Sequence, residues 1–196
     1  VVLFFMDSTE PAGEVDKRLG GYILEQFKPC IVVINKWDLA QGKAGSEQYG
    51  DYITKILPSL DFAPIAFVTA KESKNVQSVL DLAKSLHKQA NTRLSTANLN
   101  TILEEITAVR GPSSRKGRRP KIYYGTQISV CPPTIVLFVN DPSLITEEYR
   151  RFLINRFRER LPFAEVPIRL MLRARRGSAP PADGDSSRMK RPRTSV

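Results

Sequence analysis

The chain has little with which to build a covalent framework or a metal centre. Its 196 residues include two cysteines, Cys30 and Cys131, and one histidine, His87. Both cysteines stand beside apolar segments, which reads as buried free thiols in a reducing compartment and not as a disulfide pair. His87 has no cysteine or second histidine near it in sequence, so no metal site is expected. No apolar run approaches the roughly 20 residues of a membrane-spanning helix. These absences lead us to expect a cytoplasmic protein with no membrane partner; a monomer is expected as well. The first residue is Val1, inside an apolar run and not an initiator methionine, so the sequence reads as the C-terminal part of a longer protein.

Negative charge is scarce in the second half. Residues 1–92 carry 10 Lys+Arg against 11 Asp+Glu, and residues 93–196 carry 20 against 9, within an overall net charge of +10. A near-neutral part followed by a strongly basic part predicts a second domain that faces a polyanion.

The most informative stretch is Ile31-Val32-Val33-Ile34-Asn35-Lys36-Trp37-Asp38. An apolar strand ends abruptly in Asn-Lys-x-Asp, at the strand end where open α/β sheets bind ligands. The chemistry suits a guanine base. An aspartate accepts from the guanine N1–H and exocyclic amine together, whereas adenine offers neither donor and leaves the carboxylate unpaired. The Lys36 stem would lie along the base, and Asn35 would tie neighbouring loops together. A second apolar strand, residues 63–68, ends in Thr69-Ala70-Lys71, the loop type that in GTP-binding domains donates an alanine N–H to guanine O6 and covers the base with a lysine stem. Strand, helix, strand with a base-reading loop after each strand is a βαβ unit carrying half a nucleotide site. The plainer alternative is an ordinary surface loop after a buried strand.

The other half of such a site is missing from this sequence. No Gly-x-x-x-x-Gly-Lys-Ser/Thr occurs. The nearest approach, Gly111-Pro112-Ser113-Ser114-Arg115-Lys116-Gly117, has the wrong spacing and no lysine–hydroxyl pair. No Asp-x-x-Gly follows the first strand. The expectation is a base-reading half without its phosphate, Mg²⁺ and hydrolysis half, and no catalytic residue is assigned.

Along the chain, residues 1–6 read as a fully buried parallel strand. Residues 14–27 follow as a helix with Leu19, Tyr22, Ile23 and Phe27 on one face, ended by Pro29. Helices are also predicted at residues 49–57 and 75–90, the latter with Val76, Val79, Leu80, Ala83 and Leu86 inward. Gly42-Lys43-Ala44-Gly45 matches the Gly-x-x-Gly of KH RNA-binding domains, but its surroundings are wrong for that use and it reads as a loop. Residues 91–97 form a polar junction in which Ser95 or Thr96 caps the next helix, lined by Leu99, Ile102, Leu103, Ile106 and Val109. A basic loop with Arg115, Lys116, Arg118 and Arg119 leads into strands at 121–130 and 134–140, turned by Pro132-Pro133. A helix at 147–161 turns Tyr149, Phe152, Leu153 and Phe157 inward and Arg150, Arg151 and Arg158 outward. Residues 166–174 alternate, with Arg169, Met171 and Arg173 on an open basic face. Residues 178–196 have almost nothing to bury and read as a disordered basic tail.

The chain resembles the Der (EngA) family of bacterial double GTPases, which are built as two G domains followed by a KH-like domain. The resemblance is carried by residues 34–39 around Asn35-Lys36-Trp37-Asp38, by Leu94-Ser95-Thr96-Ala97-Asn98-Leu99-Asn100, and by Pro132-Pro133-Thr134-Ile135-Val136-Leu137-Phe138-Val139-Asn140. It implies an α/β fold: a partial Ras-like P-loop GTPase domain over residues 1–91, its P-loop half absent, followed by an α+β KH-like domain over residues 92–177. It implies GTP or GDP at Asn35, Lys36, Asp38, Thr69, Ala70 and Lys71, with Mg²⁺ held elsewhere in such proteins. It also implies a role in assembly of the large ribosomal subunit. The positive charge after residue 92 then offers Arg115, Lys116, Arg118, Arg119, Arg169 and Arg173 as candidate rRNA contacts, against the plainer reading of solvated surface charge. Two departures stand out: Glu72-Ser73-Lys74-Asn75 replaces the usual glycine-containing loop, and residues 93–177 contain no Gly-x-x-Gly, so KH-style clamping of a single strand is not expected. The competing reading is an RNA-binding module whose G-like half is inert scaffold.

Overall fold

The computed structural model describes residues 1–40, 45–114 and 117–175. Residues 42–44 of the predicted loop at 42–45, the basic residues Arg115 and Lys116, and the predicted tail at 178–196 therefore lie outside the described residues.

Three parallel strands open the chain: β1 (Val2–Asp7), β2 (Cys30–Asn35) and β3 (Ile65–Phe67), in the order β1-β2-β3. Parallel neighbours need crossovers, supplied by helix α1 (Glu14–Glu25) between β1 and β2 and by α2 (Trp37–Ala40) and α3 (Ser46–Ile56) between β2 and β3. The two-residue period of β2 sorts its side chains into two layers. Cys30, Val32 and Ile34 pack with Ile23 of α1 and Ile53 of α3, and Ile31 and Val33 pack with Val79 and Leu86 of α4 (Val76–Ala90).

Three expectations need correcting here. Val76 and Leu80, expected inward on α4, are 37% and 46% exposed. The first strand is not fully buried: Leu3 is 36% and Phe5 55% exposed. It is the edge of the sheet, and α4 packs under its neighbour β2. In α1 only Gly20 and Ile23 are buried, while Leu19 and Tyr22 face solvent. The cause is a close approach to a 3-10 turn at Pro58–Leu60, where a Cβ on Gly20 would lie 3.3 Å from Ser59 Oγ. That packing turns the helix away from its most apolar stripe.

The second half runs helix, strand, strand, helix, strand, as predicted: α5 (Thr96–Val109), β4 (Ile122–Ser129), β5 (Thr134–Val139), α6 (Glu147–Arg160) and β6 (Arg169–Ala174). β4 and β5 are antiparallel, and β5 and β6 parallel. The last strand is shorter than the alternation suggested; Val166 and Ile168 are buried before it begins. Ser95 caps α5 by accepting from the Asn98 N–H at 3.2 Å, and Thr146 caps α6 by accepting from Tyr149 N–H at 3.2 Å. The side chain of Asn100 clamps the backbone of Gly125: its Oδ1 accepts from the Gly125 N–H at 2.7 Å and its Nδ2 donates to the Gly125 C=O at 3.0 Å.

The polar junction is no loose tether. Gln127, 5% exposed, accepts from Leu94 N–H at 2.8 Å and donates to the Thr92 C=O at 3.1 Å. Leu86 and Ala90 of α4 share one apolar core with Leu99 of α5, Leu137 of β5 and Phe157 of α6. Arg158, expected to face outward, instead lies half-buried 4.2 Å from the ring of Phe62 in the first half. Ring electrons attract the guanidinium and the stem covers apolar surface. The expectation of two buried thiols holds for one only: Cys30 is buried, whereas Cys131, in the turn between β4 and β5, is exposed.

Candidate functional site

The C-terminal ends of β1, β2 and β3 bring together three loops, and the residues expected to read a base sit on two of them. Asn35 ends β2. Its Oδ1 accepts from the Ala70 N–H at 3.1 Å, so the two predicted loops are joined directly by the side chain expected to tie them. Trp37 N–H reaches the Val68 C=O at 3.1 Å, and Asp38 N–H reaches Thr69 Oγ1 at 3.3 Å. Thr69 is 4% exposed and closes its own turn through paired backbone bonds to Lys74. Its position makes it a brace for Asp38. Asp38, Ala70 and Lys71 are at the rim of the site, with Asp38 and Lys71 exposed. Behind them Trp37 packs on Phe67, with ring centroids 4.4 Å apart, and on Tyr49 at 5.3 Å, which anchors the start of α2, the helix that carries Asp38.

The third loop was not anticipated. Lys36 adopts a left-handed backbone, φ 56°, which a bulky residue holds only when its surroundings enforce it. The loop after β1 does so. Ser8 Oγ donates to the Lys36 C=O at 2.7 Å, and Ser8 N–H to the Asn35 C=O at 3.0 Å. The Asp7 carboxylate meets the Lys36 ammonium at 2.6 Å and also accepts from Thr9 N–H and Oγ1. The ammonium, and secondly the Thr9 bonds, hold the Asp7 carboxyl down at about 2, and Asp7 in turn raises Lys36. The available signal was the polar triplet Asp7-Ser8-Thr9 closing a strand parallel and adjacent to the Asn-Lys-x-Asp strand.

The described RNA candidates fall in two places, the segment before β4 and the exposed side of β6. Arg118 pairs with Asp141 at 3.0 Å, Arg119 is exposed before β4, Arg169 lies 5.5 Å from the Phe27 ring, and Arg173 is exposed on β6. Among the described residues there is no cluster of His, Cys, Asp and Glu that could hold a metal, and no helix is long and apolar enough to cross a membrane.

A parallel sheet with loops gathered at its C-terminal edge, followed by an α-β-β-α-β unit, is part of a G domain joined to a KH-like domain. Residues 93–173 match the family described as the KH-domain-like, C-terminal domain of EngA bacterial GTPase enzymes. The chain is 44% identical over 183 residues to GTPase Der of Rhodopirellula baltica, covering 93% of this chain and 40% of that protein. It is 41% identical to GTPase Der of Fusobacterium nucleatum over 86% of this chain and 39% of the relative. With GTPase Der of Ruminiclostridium cellulolyticum the identity is 40%, over 89% of this chain and 40% of the relative. The chain belongs to the Der (EngA) family and corresponds to its C-terminal part. It spans about two fifths of the length of the curated relatives it matches.

Proposed function

We propose that this chain supplies the guanine-reading half of a GTP-binding, GTP-hydrolysing switch and couples it to a KH-like domain that contacts rRNA, in a cytoplasmic factor acting in large-subunit assembly. The observation that carries the reading is the bond from Ala70 N–H to Asn35 Oδ1, which holds two base loops in one frame with Asp38 at the rim. Asp38 would accept from guanine N1–H and the exocyclic amine, Lys36 and Lys71 would cover the two faces of the base, and Asn35 and Thr69 would hold the loops. Ala70 N–H, the donor expected for guanine O6, is engaged by Asn35 in this structure. Base binding would therefore require it to be shared or exchanged. Lys36 starts from its pair with Asp7, whose carboxylate keeps the lysine stem against the site.

The sequence offers no Gly-x-x-x-x-Gly-Lys-Ser/Thr to cradle phosphates, so no residue here is assigned to phosphate, to Mg²⁺ or to the hydrolytic step. The shared core between the halves supports a role for the KH-like domain as a lever, because a shift of α4 is felt directly by α5 and β5. The test is titration of the chain with GDP and with ADP, followed by backbone amide shifts. The reading expects weak saturable shifts at Asn35, Asp38, Ala70 and Lys71 with GDP and none with ADP. Equal responses to the two nucleotides would leave the half as scaffold, the alternative reading.

A further inference from the structure

We propose that the face of the second sheet turned away from its helices is a stacking platform for unpaired nucleic-acid bases, centred on Tyr124, Phe138 and Arg173. The proposal rests on the reading that this domain contacts RNA and adds where and in what form the RNA is held.

The strand alternation assigns the side chains to two faces, interrupted by two register shifts in β4, and Val136, in the same β5 row as Phe138, is itself buried. A Cβ on Gly125 would meet Leu137, Leu103 and Leu99, so Gly125 faces α5. Ile135, Leu137 and Val139 join the core with Leu153 and Phe157 of α6, and Leu170 and Leu172 belong to or pack against the same core. Tyr124, Phe138 and Arg173 occupy the intervening positions and point to the other side. The register places them in one row across three strands, Tyr124 opposite Phe138 and Phe138 opposite Arg173. The two rings are nearly parallel, 18° apart with centroids at 4.5 Å, and Tyr124 remains 40% exposed.

The surroundings specify the occupant. A shift in the pairing between Ile122 and Tyr124 adds Tyr123 beside this row. Lys121 Nζ lies 5.4 Å and Arg175 Cζ 5.1 Å from the Tyr123 ring. Neither β4, β5 nor β6 carries an aspartate or glutamate. Aromatic faces ringed by cations, with no anion on the same strands, fit a polyanion that presents flat rings. A single strand does so, and a duplex, whose bases are stacked on one another, does not. This use of a sheet replaces the Gly-x-x-Gly clamp that the domain lacks.

The experiment is fluorescence anisotropy with the full chain, a labelled oligo(U) strand and a blunt RNA duplex, across a salt series. The wild type is expected to prefer the strand. Tyr124→Ala should weaken strand binding by roughly 5- to 100-fold, the scale of removing one base stack, with the salt slope unchanged because every cation that faces a phosphate is still in place. Tyr124→Phe should bind like the wild type, and Tyr124→Leu, which keeps an apolar partner for Phe138 and so guards against simple unfolding, should bind like the alanine variant. Strand binding by Tyr124→Ala equal to wild type overturns the platform, as does equal affinity for strand and duplex; either is the outcome if charge alone attracts RNA or if a protein segment occupies the face. If the platform fails while the wild type still binds duplex with a salt-dependent affinity, the broader RNA reading survives. Absence of binding to both probes removes the two together.

Discussion

Asn100 offers the sharpest test of how the second half is held. Gly125 lies on β4, an edge strand that pairs with β5 on one side only. At Gly125 the other side is satisfied by one amide: Oδ1 accepts from the Gly125 N–H at 2.7 Å, and Nδ2 donates to its C=O at 3.0 Å and to the Thr96 C=O at 2.7 Å. No side chain can stand at residue 125 without a shift of its neighbours, because a Cβ there would lie 2.8 Å from Leu137 Cδ2. In Asn100→Ala a part-buried N–H and C=O are left without their partner. Each unmade bond costs about 1–3 kcal/mol when water does not replace it, and partial access lowers the total to about 2–4 kcal/mol. Asn100→Asp keeps the acceptor but turns an oxygen toward the Gly125 C=O, so it should destabilise at least as much. Thr101→Ala, one position along on the exposed side, should cost less than about 0.5 kcal/mol. Urea unfolding followed by circular dichroism and by the fluorescence of Trp37, the sole tryptophan, should show a midpoint lower by about 1 M or more for Asn100→Ala at unchanged m. Both probes should move together, since the halves share a core. A midpoint matching that of Thr101→Ala would refute the clamp.

Alkylation with iodoacetamide near pH 8 should modify exposed Cys131 and spare Cys30, whose thiol burial pushes up to about 12; equal labelling, read by mass spectrometry, would contradict the packing of β2. The Asp7 carboxyl should titrate near 2 by NMR, well below an ordinary aspartate. Its folded value is lowered, so its contribution is present above the unfolded value near 3.8 and fades as pH falls through about 2; a midpoint near 4 would mean that the Lys36 pair does not form. Replacing Arg115, Lys116, Arg118 and Arg119 with Ser should flatten the salt dependence of rRNA binding by roughly 0.7–0.9 for each phosphate no longer neutralised. Arg118 already pairs with Asp141, so its share should be the smallest, and a salt series overlaying that of wild type would free this loop from the interface.

Much of this was legible because periodicity and motif agree. The run from Ile31 to Ile34 has to be a buried strand, and the side chains after it must emerge at the sheet's C-terminal edge. The α-β-β-α-β order followed from the polar junction with Ser95 or Thr96 before the first helix, from Pro132-Pro133 between the strands and from the apolar periodicity of the helices. Packing that depends on distant parts of the chain was not legible. Nothing local says that Gly20 packs against Ser59 and so rotates α1, or that Arg158 crosses to Phe62 and leaves the solvent face. The Lys36 conformation and its partners Asp7 and Ser8 lie 28 or more residues apart in sequence, and only the parallel pairing of β1 with β2 brings them together. Leu94–Asn100 was recognisable as a family signature; the structure supplies the cause, since Leu94 and Asn100 both bond to β4, through Gln127 and Gly125.

If Asp38 reads guanine as proposed, exchanging its carboxylate for an amide must change which base is bound. Asp38→Asn replaces two acceptors with one acceptor and a donor, which suits the carbonyl that xanthine carries in place of the guanine amine. Removing the charged hydrogen bonds should cost roughly 1.5–3 kcal/mol, about ten- to a hundredfold. Amide-shift titrations of the wild type and the variant with GDP and xanthosine diphosphate should show guanine binding weakened by that factor in Asp38→Asn and xanthine binding acquired. A variant that responds to GDP as the wild type does, with no new response to the xanthine nucleotide, would contradict the assignment.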